Sequence, residues 1–204
     1  MSKIGLMIMD ARGNAYAYRI LSEKYESARE ALQNGDKKDT KEIELSFPMA
    51  MSLTFSCELY LKILILKKGL SYNREHDLFS LYNILNEDIK SKILECYKKL
   101  NGNDTDFDKK LEESKNAFKE WRYYYEIDLS QQPCGFYVVD IPFLDMLLQC
   151  LEEVYDSLLT TSKKEDESKK EALDDKIKNA AMKVPERVKK NSMNEGNSRG
   201  ERQR

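Results

Sequence analysis

Between Ala11 and Asn34 the apolar side chains Tyr18, Leu21, Tyr25, Ala28 and Leu32 return at steps of three and four, the period of a helix with one buried face. Gly35 follows where such a helix should stop, so the spacing predicts a first amphipathic helix over 11–34. The charged run from Asp36 to Glu44 reads as a loop. Ser46 then offers an N-cap, and Pro48 suits the first turn of a second helix. Along it Met49, Leu53, Cys57, Tyr60 and Leu64 trace one stripe, while Phe55, Leu59, Ile63 and Leu66 cover the other side. A helix apolar almost all round belongs at the centre of a fold, and Gly69 closes this one.

Shorter periodic stretches follow. His76 to Leu85 predicts a short helix with Leu78, Leu81, Tyr82 and Leu85 inward. Asn86 caps the next, where Ile89, Ile93, Cys96, Tyr97 and Leu100 share a face up to Asn101-Gly102-Asn103. A longer helix is expected from Thr105 to Glu126, with Phe107, Leu111, Phe118, Trp121 and Tyr125 in line. Ser130 to Gly135 reads as a turn and Phe136 to Val139 as a short extended piece. Asp140 then caps a last helix from Pro142 to Leu159, carrying Leu147, Leu151, Val154 and Leu158. The whole is an all-α fold: an antiparallel bundle of five or six helices in residues 1–161, followed by a charged, mostly disordered tail, 162–204. Some helix is allowed as far as Lys183.

Composition agrees with that outline. In 204 residues there are only eight Gly and four Pro, too few turn residues for a many-stranded sandwich or barrel. The net charge of −2 gives no case for nucleic-acid binding from bulk charge, but the charge is unevenly spread: residues 162–204 carry 13 basic and 9 acidic side chains, so a basic tail follows an acidic body. The apolar run near the N-terminus, about six residues, is shorter than the roughly 7–15 of a signal-peptide core. Phe47 to Leu66 has spanning length, yet Glu58 and Lys62 sit near its middle at roughly 3 kcal/mol each for membrane insertion, so it reads as a buried helix and not as a membrane span. Cys57, Cys96, Cys134 and Cys150 are too far apart in sequence for a zinc motif and lie in apolar patterns that suit reduced core thiols. A cytoplasmic protein is expected.

Several chemistries are excluded. No glycine stands in a G-x-G pattern or before Lys-Ser or Lys-Thr, so no phosphate-cradling loop is present, and no G-x-S-x-G elbow exposes a serine. Asp104, Asp106 and Asp108 alternate like the start of a calcium loop, but Lys109 and Lys115 occupy the positions that need Gly and Glu. These acids favour a helix N-terminus instead. Neither a metal nor a cofactor is called for.

The polar residues out of place are more informative. Glu58 and Lys62 lie four apart on the apolar second helix, in the favourable acid-first order, and must be paired or open to a cleft. His76, the lone histidine, and Asp77 open a short helix after the loop Ser71-Tyr72-Asn73-Arg74-Glu75; a cap or hydrogen-bonded surface group is the plain reading. Arg122, Tyr123, Tyr124, Tyr125 and Glu126 combine a guanidinium with stackable rings, which suits a core or dimer interface and also a single-stranded base with its phosphate.

Three islands, Cys57-Glu58-Leu59-Tyr60-Leu61-Lys62-Ile63-Leu64, His76-Asp77-Leu78-Phe79-Ser80-Leu81-Tyr82 and Phe118-Lys119-Glu120-Trp121-Arg122-Tyr123-Tyr124-Tyr125-Glu126, together resemble the HEPN domains of bacteria, over about residues 45–160. The resemblance implies an antiparallel bundle of about four main helices, usually dimeric, in a family associated with RNA metabolism, toxin–antitoxin pairs and phage defence. Many members are metal-independent ribonucleases whose motif is Arg, four to six residues, then His. This chain departs from the motif: Glu126, Ile127 and Asp128 follow Arg122 at that distance, and the one histidine lies upstream.

Three readings stay open. In the first the chain is a non-catalytic HEPN-like module that binds RNA or nucleotide, or a cognate protein partner, with Glu58, Lys62, His76, Asp77, Arg122 and Glu126 lining a polar cleft and Tyr123 and Tyr125 nearby. In the second it is a metal-independent ribonuclease in which His76 moves a proton and Arg122 stabilises the phosphate. In the third it is a helical interaction protein whose polar groups are structural pairs. A homodimer is expected through the resemblance, without membrane association.

Overall fold

The computed structural model describes residues 2–35, 40–118 and 139–182. Among them the chain is all-α, with six helices and one 3-10 turn: α1 (Lys3–Gln33), the turn Thr40–Leu45, α2 (Ser46–Lys67), α3 (Leu78–Ile84), α4 (Glu87–Asn101), α5 (Phe107–Glu113) and α6 (Ile141–Met182). Two compact units divide the chain between Leu158 and Leu159. The first holds the core.

The first helix begins eight residues before the expected Ala11. Ser2 caps it, its Oγ accepting from the Gly5 amide at 3.1 Å, and nothing between Lys3 and Ala11 breaks a helix. Ala11 and Ala15 are fully buried against α2, where their small side chains allow close approach and the Ser56 hydroxyl donates to the Ala11 carbonyl at 2.9 Å. Leu32, expected inward, is on the exposed margin. Asp36 to Asp39 fall outside the described residues, and the remainder of the expected loop is the 3-10 turn, so Leu45, and not Ser46, occupies the N-cap of α2.

Helix α2 is the central element. Fourteen of its residues are buried, Glu58 and Lys62 among them. It has the length and composition to cross a membrane, with mean hydropathy 1.5, but 78% of that apolar window is buried inside the fold. Burial pushes the Cys57 thiol above its usual range, and burial together with the Glu152 carboxylate pushes the Tyr60 hydroxyl up to about 12.

Helices α3 to α6 converge on an aromatic cluster. Phe107 lies 5.3 Å from Tyr82, 5.0 Å from Tyr97 and 5.7 Å from Phe143, and Tyr97 lies 5.8 Å from Phe143, mostly edge to face. The Tyr97 hydroxyl donates to Asp106 Oδ1 at 3.1 Å and Asn101 also reaches the Asp106 carboxylate, while the Lys110 ammonium, with Tyr97 after it, holds that carboxylate below the usual range. Asp106 thus joins α4 to α5.

Other boundaries move for local reasons. Asp77 caps α3, so the helix starts at Leu78. Gly102 ends α4 with φ 82°, and Leu100 faces solvent instead of the core. The long helix expected over 105–126 is interrupted after Glu113, where the Lys115 carbonyl turns away to accept from the Leu78 amide at 3.0 Å; residues 117 and 118 are helical again, and 119–126 lie outside the described residues. The turn expected over 130–135 and residues 136–138 of the expected extended piece lie outside the described residues. Asp140 Oδ1 accepts from the Phe143 amide at 3.0 Å, as its place before the last helix predicts. That helix continues to Met182, well past Leu159.

Candidate functional site

Glu58 and Lys62 face the loop that leads into α3. Glu58 Oε1 accepts from Lys62 Nζ at 2.6 Å and lies 2.8 Å from His76 Nδ1, while Lys62 Nζ stands 3.4 Å from the same ring nitrogen. The carboxylate is 1% exposed and the lysine 8%, whereas the imidazole is 59% exposed. A buried pair therefore holds one surface histidine. A carboxylate can only accept, so the short contact places a hydrogen on Nδ1 of His76. In the neutral ring Nε2 is then the free acceptor.

The second carboxylate oxygen, Glu58 Oε2, is buried without a hydrogen-bond partner among the described residues. An ionic acceptor left in this state is costly, and buried polar groups of natural folds are nearly always satisfied. Lys62 gains a further neighbour in Tyr72, whose ring centre lies 5.2 Å from Nζ. Burial, and after it the nearby Glu58 charge, raises the Tyr72 hydroxyl above its usual range.

The loop is organised to present His76. Glu75 Oε1 accepts from the amides of both His76 and Asp77 at 3.0 Å, and Asp77 Oδ1 accepts from the Ser80 amide at 2.9 Å. Arg74, two residues before the histidine, is exposed and sits in the left-handed region at φ 44°, uncommon for a side chain of its size. Asp77 is thus a helix cap, not a member of the ionic cluster. Tyr72, Arg74 and Glu75 were visible in the sequence only as a loop; Arg74 in a charged turn beside the lone histidine was the available signal.

Of the residues singled out from sequence, Glu58, Lys62 and His76 come together across eighteen residues of chain. Arg122, Tyr123, Tyr125 and Glu126 lie outside the described residues. Among the described residues, no three His, Cys, Asp or Glu side chains group as a metal site. Cys57, Cys96 and Cys150 are buried free thiols, with Cys57 donating to the Leu144 carbonyl at 3.6 Å and Cys96 to Glu153 Oε2 at 3.3 Å; Cys134 lies outside the described residues.

Compared with protein-family models, curated proteins and solved structures, the chain matches none.

Proposed function

We propose that the chain is a HEPN-like antiparallel helical bundle that binds single-stranded RNA at the face carrying His76, in a cytoplasmic toxin–antitoxin or phage-defence setting. The observation that carries the reading is the Glu58–Lys62–His76 cluster: a buried ion pair on a central apolar helix is a poor source of stability, and here its outlet to solvent is one oriented imidazole. Arg74 adds an exposed guanidinium beside it, suited to phosphate. Arg122 is assigned the same role, and Tyr123 and Tyr125 stacking on bases. Phe118, four residues before Arg122, stacks on Phe55 with ring centres 4.9 Å apart, and Phe55 is one helical turn before Glu58.

Fluorescence anisotropy of a labelled single-stranded RNA, titrated with the full chain at low and high salt, tests the reading. Binding should weaken with salt and fall at least about tenfold in Arg74→Ala with His76→Ala, both variants staying folded. Absence of RNA binding at low salt overturns it, and a cognate protein ligand then becomes the target.

A second reading is favoured by the Glu58 to His76 contact alone. An imidazole with Nδ1 held by a carboxylate and Nε2 free is competent to take a proton from a 2′-hydroxyl, so the same face suits metal-independent cleavage of RNA. Cleavage in chelator that disappears in His76→Ala supports it; cleavage that persists in that variant removes it.

A further inference from the structure

His76 is the only histidine of the chain, and the fold gives it the two attributes of a nitrogen nucleophile, a fixed tautomer and an open approach. Its side chain is 59% exposed, while the Glu58 carboxylate, 2.8 Å from its Nδ1, is 1% exposed. One ring nitrogen is anchored on the interior and the other, Nε2, keeps its lone pair free. We infer that His76 is a phosphoryl-acceptor site, modified at Nε2 by a donor of the phosphoramidate class, in which the phosphoryl group is carried on nitrogen. The inference does not rest on RNA binding.

The charges around the ring suit a phosphoryl group. Arg74, two residues earlier on the same loop, is exposed, and a guanidinium matches phosphoryl oxygens in pairs. The acids on either side of His76 in sequence are committed to the backbone. Glu75 Oε1 accepts from the His76 and Asp77 amides at 3.0 Å, and Asp77 Oδ1 accepts from the Ser80 amide at 2.9 Å. Lys62, donating to Glu58 Oε1 at 2.6 Å, balances the one acid that touches the ring.

The transfer balances with these groups. The Nε2 lone pair forms the new N–P bond as the donor's own P–N bond breaks. The departing nitrogen, protonated beforehand, keeps the electron pair of that bond and leaves as the neutral amine. The ring gains a positive charge with its hydrogen still on Nδ1, facing Glu58 Oε1. A buried carboxylate already in place stabilises that charge as it develops, without reorganising water. Glu58 is thus a positioning residue: it fixes which nitrogen reacts and favours the ring that results.

Treatment of the full chain with potassium phosphoramidate, followed by intact mass spectrometry and phosphorus NMR, tests this. One phosphoryl group should be added, lost in acid and kept in alkali, and His76→Ala should take none. The folded chain should react at least about tenfold faster than the same chain in urea. Its first product should be the Nε2 isomer, whereas the unfolded chain gives both isomers. Glu58→Leu with Lys62→Met, which replaces the buried pair by apolar side chains, should keep the helical circular dichroism and fall to the rate and isomer mixture of the unfolded chain. Arg74→Ala, a change at an exposed position, should react several-fold more slowly and still give the Nε2 isomer. A folded wild-type chain that reacts no faster than the unfolded one, or that is modified first at Nδ1, overturns the inference. So does a folded double variant with wild-type rate and isomer.

Discussion

The aromatic cluster around Phe107 and the ionic cluster around Glu58 occupy the same compact unit and are built on opposite terms. In the first, four rings from four helices pack around Phe107, and of the two hydroxyls they carry that of Tyr97 donates to Asp106. In the second, two buried charges and one exposed ring share a single carboxylate oxygen, and the other oxygen has no partner among the described residues. The first arrangement gains from packing and needs nothing more. The second carries a desolvation cost, because one buried carboxylate oxygen has nothing to accept from among the described residues.

Replacing Phe107 by alanine should produce the largest loss, about 3 to 5 kcal/mol in urea unfolding, because a fully buried ring at the meeting point of α3, α4, α5 and α6 leaves a cavity. A loss below about 1 kcal/mol would show that the cluster is not the folding core. Lys62→Met should cost about 3 kcal/mol by leaving the Glu58 carboxylate buried without its cation, and adding Glu58→Leu should return most of that stability. If the double variant is as unstable as the single one, the pair is a structural necessity and the contrast between the two clusters fails. Asp77→Ala removes the cap of α3 and should lower stability by about 1 kcal/mol, read in the same unfolding curves. His76→Ala should cost about 1 kcal/mol by taking one donor from the buried Glu58 carboxylate, while weakening RNA binding several-fold. A large stability loss with unchanged affinity would make His76 a structural group.

The helical class was legible because period and punctuation agreed along most of the chain. The acid-first pair Glu58–Lys62 could be read as a contact, since a helix brings residues four apart together whatever else surrounds it. The approach of His76 could not, because it depends on how the loop from Leu70 to Asp77 folds back onto α2. Helix ends were lost where a distant partner decided them: Glu113 ends α5 because the next turn gives its Lys115 carbonyl to Leu78, a residue far back in the sequence. Leu100 has the right period yet stands in solvent, since periodicity marks a face without saying how far along the helix its neighbours extend.

The inner face of α1 has a separate consequence. Its alanines and the Ser56 hydrogen bond cover one flank of α2, the segment whose length and oiliness would suit a lipid bilayer. Stripped of residues 3–20, the remaining polypeptide would meet water with that flank bare. Aggregation or adventitious membrane insertion should follow before any local change at His76 is felt, so the first helix acts as the solubilising cover of the chain.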